Sequence, residues 1–182
     1  MPISINGSGT ITGVSVGGLP DGIVDTDMIA AAAVTAAKRG PGTILQIVNA
    51  STASAVGNST DTFEDIGLAA SITPSSTSSK ILVHAVVNGA HCYNNALNQM
   101  QLQLLRDSTV IATPATEAGH SNGALVHMGM GTGAATCHLD SPNTTSQVTY
   151  KMQQRKRLSV TMTVTSQYAS ARSYITLYEV SA

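Results

Sequence analysis

The chain has 182 residues and a formal net charge of −1, and only 10% of its residues are charged, against about 25% in ordinary soluble domains. Serine and threonine fill the difference with 20 and 22 copies, whereas tryptophan is absent and Phe63 is the only phenylalanine. This composition disfavours an acidic disordered chain, a small disulfide-rich protein and a basic nucleic-acid binder. It predicts a core of small and β-branched side chains.

The sequence carries no signal for membrane insertion or secretion. No stretch approaches the roughly 18 consecutive apolar residues of a membrane span, and residues 1–18 lack the basic start and apolar core of a secretory signal. With only Cys92 and Cys137, a disulfide framework is also disfavoured. We therefore expect synthesis in a reducing cytoplasm and two buried, poorly reactive thiols.

Residues 1–23 are predicted to form an extended arm. Isolated Ile, Val and Leu alternate there with Gly, Ser, Thr and Asn, so the segment has too few large apolar groups to offset the entropy of ordering its backbone. We expect the arm to be flexible or to become ordered against another protein.

One short helix is predicted within residues 24–42, with Asp25 or Thr26 as its cap and Gly40-Pro41-Gly42 as its end. One stripe at helical spacing consists of Met28, Ile29, Ala32, Ala33 and Ala36. Because the stripe is mostly alanine, it suits close approach of identical helices, most simply around a threefold axis. The segment is therefore interpreted as a trimerising stalk, and docking on its own domain is the alternative.

Residues 43–182 are typical of β-strands separated by polar turns. The predicted strands cover residues 44–48, 68–72, 80–87, 100–104, 110–111, 124–130, 135–139, 148–152, 158–164 and 174–180. Leaving aside the two-residue segment 110–111, eight or nine strands of five to nine residues, with no helix between them, exclude a parallel βαβ architecture. They predict a mainly β domain, an antiparallel, jelly-roll-like β-sandwich.

The residue pattern does not predict a metal site or an active site. The pairs His91-Cys92 and Cys137-His138 lack zinc-ligand spacing, and adjacent residues on a strand point to opposite faces. We expect buried cysteines with outward histidines, although histidines meeting at a threefold axis are left open. No G-x-S-x-G motif is present, and most carboxylates lie at predicted turns. The chain is therefore expected to have no cofactor and no catalytic residues.

The only run of charge is formed by Arg155, Lys156 and Arg157, which is predicted to lie at a hairpin tip between two strands. A solvated turn that prevents edge aggregation is one interpretation. The other is an anion contact with a phosphorylated surface glycan or another protein.

Two further loops are candidates for recognition, because loops carry binding residues while strands carry the fold. One is Tyr93-Asn94-Asn95 and the other covers residues 116–122. Tyrosine and asparagine suit a glycan, since the ring stacks on a sugar face and the amide both donates and accepts hydrogen bonds. An ordinary Asn-Asn turn is the alternative.

Several segments resemble tail-fibre and fibre-like proteins of tailed bacteriophages, including marine and cyanobacterial ones. The segments are SITPSSTSSKILV at 71–83, LDSPNTTSQVTYK at 139–151, ITLYEV at 175–180, and GLPDG at 18–22 before the predicted helix. The resemblance implies a virion protein, a homotrimer whose β-sandwich head sits at the end of a short stalk. It supplies no catalytic residues.

The sequence thus favours a short trimeric phage fibre with a host-recognition head, bound through residues 1–23 to another virion protein of the tail, baseplate or capsid. A capsid decoration or head-fibre protein that coats or stabilises the shell is the alternative, because the chain is short for a tail fibre. A glycan-cleaving enzyme is a third hypothesis, which the scarcity of paired carboxylates disfavours.

Overall fold

The structure is a computed structural model. It describes residues 34, 38–93, 99–118, 128–130, 133–157 and 163–182. The chain divides into two units, Met1–Arg39 and Gly40–Ala182. The predicted arm and the apolar stripe of the predicted helix lie outside the described residues, so both stay predictions. Among the described residues, no helix is long and apolar enough to span a membrane.

The described part of the head is built from twelve strands and one short 3-10 turn, Tyr168–Ser170. The strands are β1 Ile44–Thr52, β2 Val56–Asn58, β3 Glu64–Ile72, β4 Lys80–Val87, β5 Ala90–Tyr93, β6 Met100–Arg106, β7 Thr109–Ala118, β8 Met128–Met130, β9 Ala134–Asp140, β10 Val148–Lys156, β11 Thr163–Ser166 and β12 Ser173–Val180. The predicted mainly β class is confirmed.

Eight of these strands form two antiparallel four-stranded sheets. Sheet 1 has the order β1-β12-β4-β9, and sheet 2 has the order β3-β10-β6-β7. Successive long strands mostly alternate between the sheets, which is the double Greek key of a jelly roll. The predicted β-sandwich is therefore confirmed. The strand order is a new finding, because the sequence pattern did not specify it.

The core lies between the two sheets and follows the period-two alternation of the strands. Large side chains that are fully buried there include Ile66, Leu68, Ile81, Leu102, Leu104, Tyr150, Met152, Ile175 and Leu177. Each such side chain contributes about 1.5–3 kcal/mol when it is removed from water. The core therefore stabilises the sandwich without a disulfide.

The remaining strands form a third sheet, here called the cap sheet, with the order β2-β11-β5-β8. Its strands come from four different connections: β1 to β3, β4 to β6, β7 to β9, and β10 to β12. All four connections leave the same end of the sandwich, because Lys156 pairs with Met100 in sheet 2 and Val87 pairs with Ala134 in sheet 1. We call this end distal. The sequence pattern missed β2 and β5, since each is too short for a visible alternation.

The chain enters the sandwich at the opposite end, here called proximal. The backbone N–H of Gly42 donates to the carbonyl of Ser181 at 2.9 Å, and the N–H of Ser181 donates to Thr43 at 2.9 Å. These bonds extend the pairing of β1 with β12 beyond Ile44. Residue 40 is thus separated from the cap sheet by the length of a nine-residue strand, about 30 Å.

Glu179 organises the proximal end around a buried carboxylate. Its Oε1 accepts hydrogen bonds from the backbone N–H and the hydroxyl of Ser75, both at 2.7 Å, and its Oε2 accepts one from Gln46 at 2.6 Å. Burial opposes ionisation, but the hydrogen bonds from Ser75, Ser79 and Gln46 outweigh it and hold the pKa of Glu179 below its usual value. The serine-rich loop is thereby fixed to β12 and β1.

A second proximal network joins the two sheets. Arg106, at the end of β6, forms an ion pair of 2.7 Å with Asp140, at the end of β9. The hydroxyl of Tyr150 donates to the same carboxylate at 2.7 Å. Burial is the larger cause, and together with this hydrogen bond it raises the pKa of Tyr150. Lys80 donates to the hydroxyl of Ser141 at 2.8 Å. These contacts link the segments 71–83 and 139–151, and Glu179 links the first of them to 175–180.

Candidate functional site

The described parts of the three predicted recognition segments lie at the distal end. Tyr93 is the last residue of β5, and Asn94 and Asn95 lie outside the described residues. Residues 116–118 end β7, and 119–122 lie outside the described residues. The basic run is at the end of β10. The topology therefore gathers three segments that are far apart in sequence, although their contact with a receptor stays a prediction.

The predicted hairpin tip at the basic run is wrong. Arg155 and Lys156 lie inside β10, and β10 and β11 belong to different sheets. The strand continues because Gln154 is fully buried and because Arg155 Nε donates to Gln101 Oε1 at 2.6 Å. The Arg155 guanidinium also lies 4.5 Å from the centre of the Phe63 ring. Arg155 is thus part of the outer surface of sheet 2, where the hairpin interpretation had placed a solvated turn.

Arg157 is held in a similar way. Its backbone N–H donates to the carbonyl of Gln99 at 3.0 Å, and its guanidinium donates to Gln99 Oε1 at 2.8 Å. Replacing Arg155 and Arg157 by serine would remove their side-chain hydrogen bonds to Gln101 and Gln99 as well as positive charge. The run is therefore a poor place to test receptor binding separately from folding.

A buried polar network joins the cap sheet to the sandwich. The amide of Gln154 in β10 donates to the carbonyl of Val56 in β2 at 2.6 Å and accepts from the hydroxyl of Ser166 in β11 at 2.6 Å. Asn58, which is also buried, donates to the carbonyls of Gln154 and Thr62 at 3.0 and 2.9 Å. Because these polar atoms are satisfied only in one arrangement, they fix the cap sheet rigidly on sheet 2.

Tyr168 is a large exposed side chain on the described distal surface, as is Tyr174 near the start of β12. Its ring is stacked on His91, with ring centres 4.2 Å apart and an angle of 11° between the planes. His91 is buried and Tyr168 is 50% exposed, so one face of the tyrosine ring covers the histidine and its outer part remains accessible. A fixed aromatic ring of this kind can stack on a sugar or on an apolar side chain.

The turn that presents Tyr168 has an unfavourable backbone. Gln167, Ala169 and Ser170 have φ values of 58°, 53° and 61°, which costs a non-glycine residue about 1 kcal/mol or more at each position. The N–H groups of Gln167 and Tyr168 donate to the carbonyls of Asn88 and Gly89 at 3.0 and 3.1 Å. Strained backbone of this kind persists only where surrounding contacts hold it.

The side chain of Gln167 supplies further support for this turn. It is fully buried, and its amide oxygen accepts from the Ser173 hydroxyl at 2.9 Å while its nitrogen donates to the carbonyls of Ser166 and Ser54 at 3.2 and 3.3 Å. Ser173 in turn accepts from the backbone N–H of Asn88 at 2.9 Å. The position of Tyr168 is therefore set by connections from three parts of the chain.

The sequence analysis missed Tyr168. It lies in SQYASARS at 166–173, a polar stretch that reads as a plain connection between two strands. An aromatic residue among Ser, Ala and Arg is the one signal that could have selected it. Its stacking on His91 joins residues 77 positions apart in sequence, which no local pattern reveals.

The two cysteines differ, contrary to the expectation that both are buried. Cys92 is buried, and burial raises its pKa to about 11, whereas Cys137 is exposed on the outer face of sheet 1. The alternation of β9 turns His138 inward and Cys137 outward. In the first pair, His91 and Cys92 are both buried, because the cap sheet and Tyr168 cover His91. Among the described residues, no three His, Cys, Asp or Glu side chains are grouped to hold a metal ion.

We expect Cys92 to resist alkylation in the folded protein, because the thiol is both inaccessible and protonated at neutral pH. In a Cys137→Ser variant, mass spectrometry after iodoacetamide treatment at pH 8 should find almost no modified chain without denaturant. One modification per chain should appear in denaturant. Rapid modification of the native variant would contradict the burial of Cys92.

Comparison with known proteins gives little further guidance. No protein-family model matches the chain, and no curated protein matches its sequence. The head is similar to the VP2 subviral particle of infectious bursal disease virus, with 9% identity over 76% of this chain and 34% of that chain and a TM-score of 0.46. Structures of the Gt and Gx strains of that virus have 11% and 12% identity over 76% of this chain, with TM-scores of 0.37 and 0.34.

The chain spans only 34% to 39% of the length of the solved chains.

Proposed function

We propose that the chain is a structural protein of a virus particle, a short trimeric fibre whose sandwich is a host-recognition head. In this proposal, residues 1–23 bind another virion protein, residues 24–42 form the stalk, and the distal end contacts the host surface. The protein is made in the host cytoplasm and acts as part of the virion, without catalysis and without a cofactor.

The observation that carries the proposal is the polarity of the head. The chain enters at the proximal end, beside Ser181, while all four connections of the cap sheet leave at the distal end. An attachment segment and a set of recognition loops must lie at opposite ends if the loops are to face away from the particle. Tyr168 adds a rigid aromatic surface at the distal end.

The fibre resemblance supports the same proposal through its scaffold. Its three head segments meet at the proximal end, where Ser75 binds Glu179 and Lys80 binds Ser141. In these contacts, serine, lysine and glutamate side chains hold the proximal loops together, so their role is in the folding of the head. The segments therefore support a fibre-like fold and leave receptor choice to the distal residues.

Capsid decoration is the second candidate, favoured by the jelly-roll strand order, which many viral shell domains use. The two candidates differ in copy number. Quantitative mass spectrometry of purified particles that carry the chain should find only the small copy number of a few trimeric fibres per particle if the proposal is right. A copy number close to that of the main shell protein would instead establish decoration.

Host recognition at the distal end is tested by Tyr168→Ala. The full-length protein should compete with the virus for host cells, and the variant should need at least about tenfold more protein for half-maximal competition, as for a central aromatic contact. The matched control is Val110→Ala, an apolar side chain of similar exposure, 49%, at the start of β7 and far from the cap sheet. Equal competition by wild type and Tyr168→Ala, with unchanged melting temperatures, would contradict recognition through Tyr168.

A further inference from the structure

The outer face of sheet 1 carries an apolar row across its full width. The pairing of the strands places Ile47, Tyr178, Leu82 and Leu139 side by side, in the order β1-β12-β4-β9. Ile47 and Leu139, at the two edges of the sheet, are 58% and 54% exposed. Tyr178 and Leu82 between them are half-buried, and an apolar row that crosses a whole sheet is the kind of patch that interaction surfaces use.

The outer face of sheet 2 is different, although the same chain builds it. There, Gln103 donates to Gln153 at 2.7 Å, and Gln153 and Lys151 donate to the Asp65 carboxylate at 2.7 and 2.9 Å. Its polar side chains thus bind one another along the surface. The contrast indicates that sheet 2 faces water and that sheet 1 is covered.

The charges on sheet 1 favour a second copy of this chain as the cover. None of the outward-facing residues of its four strands, all of them described, is acidic, because Asp140 and Glu179 turn inward. Lys80 is their only permanent cation, and it lies at the proximal end. Two such faces bring together only the Lys80 charges, each of which donates to Ser141 of its own chain at 2.8 Å, whereas a basic partner would find no counter-charge there.

The apolar row also specifies how the copies are arranged. Its two most exposed residues lie on opposite edges, β1 and β9, but at the same level along the strands. A rotation about an axis parallel to the strands brings Ile47 of one copy against Leu139 of the next. Such a heterologous contact closes into a three-membered ring when the rotation is 120° without translation, and it leaves the proximal ends of all copies on the same side.

We propose that sheet 1 faces the threefold axis of a homotrimer, with the β1 edge of each copy packed against the β9 edge of the next. The inference rests on the trimer of the proposed function and assigns its head contact. The sheet face covers about 500 Å² per copy, less than the roughly 800 Å² per partner of a standard interface. The chain enters each head at the proximal end, beside β1, and the trimerising stalk predicted at residues 24–42 is expected to supply the remaining contact.

The native thiol of Cys137 permits a direct test. Two residues along the strands from the apolar row, Asn49 on β1 and Cys137 on β9 lie at the same level on the two edges of sheet 1. The pairs Asn49–Thr176, Thr176–His84 and His84–Cys137 establish this level. Within one chain they are three strand spacings apart, about 14 Å, beyond the roughly 7 Å limit of a disulfide. Between neighbouring copies in the proposed ring they are adjacent.

Full-length Asn49→Cys should therefore form covalent dimers and trimers on mild oxidation with diamide. Non-reducing gel electrophoresis should show that trimers are the largest product and that reductant reverses them. The control is Val110→Cys, which places an exposed thiol on sheet 2 and should leave the chain monomeric on the gel, as should the wild type. A circular dichroism melt of Asn49→Cys establishes that its head is folded.

A second variant tests the same surface without a new thiol. Leu139→Lys should raise the concentration at which the full-length trimer dissociates by at least about tenfold, as measured by analytical ultracentrifugation, while Val110→Lys should not. A trimeric protein that forms no Asn49→Cys products and tolerates Leu139→Lys would overturn the sheet 1 contact and leave the fibre proposal intact. A monomeric wild type would overturn both.

Discussion

Glu179→Ala is expected to lower the free energy of unfolding by about 3 kcal/mol, because it leaves buried hydrogen-bond donors without an acceptor. The wild-type carboxylate is fully buried and accepts from Ser75 and Gln46 at 2.6 to 2.7 Å. Urea denaturation followed by circular dichroism measures the effect. Glu64→Ala, at an exposed position on β3, should change the same free energy by less than about 0.5 kcal/mol.

The same carboxylate makes stability depend on pH. The pKa of Glu179 in the folded chain lies below its ordinary value of 4.5, since its hydrogen bonds outweigh the effect of burial. A lowered pKa stabilises the fold above the unfolded value, and that stability is lost as pH falls through the folded value. Between pH 6 and pH 3 the wild type should therefore lose more stability than Glu179→Ala. Parallel pH profiles of the two proteins would contradict the assignment.

Gly89→Ala is expected to destabilise the distal end by about 3 kcal/mol or more, through two additive causes. Gly89 has a φ of +61°, and an added Cβ would lie 2.7 Å from the backbone nitrogen of Tyr168 and 2.8 Å from its carbonyl oxygen. The backbone atoms cannot move aside without breaking the hydrogen bond from Tyr168 to Gly89. Thermal unfolding should show a lower melting temperature, and hydrogen exchange should increase first in β5 and β11.

Gly42→Ala separates these two causes. Its φ of +82° imposes a similar backbone strain, but no atom lies within 4 Å of the added Cβ. We expect it to cost about 1 kcal/mol. Equal losses for Gly42→Ala and Gly89→Ala would mean that the close approach of Tyr168 to Gly89 contributes nothing.

The long strands could be predicted because their alternation is local. The segment KILVHAVV predicts residues 80–87, and the structure has β4 at Lys80–Val87. The strand order could not be predicted, because the pairing of β1 with β12 joins residues more than 120 positions apart. Such pairings depend on the shape of the whole core, which the periodicity of one strand does not contain.

The errors have a common physical origin. Charge suggested a turn at Arg155, but Gln101 and Phe63, far along the chain, provide a place for the guanidinium on a strand. Apolar context suggested that Cys137 is buried, but its strand has one outward face. In both cases the position of the side chain depends on its tertiary neighbours, which the local sequence does not specify.

The candidate site was accessible to prediction only in part. Tyr93 and residues 116–118 were predicted to lie in loops, but they end the strands β5 and β7, and the topology brings these strand ends to one end of the sandwich. Tyr168 could not be predicted as a contact residue, because its fixed, exposed position depends on the stack with His91 and on the strained turn.

The cap sheet has a consequence for how such a head can change. Each of the four distal connections is anchored part-way along its length by one short strand, so a change in length between anchors is not transmitted to the register of the sandwich. Doubling a flexible loop costs only about 0.6 kcal/mol in closure entropy. The sandwich can therefore stay unchanged while its distal loops vary in length and sequence. The same property makes this head a suitable frame for displaying foreign peptides.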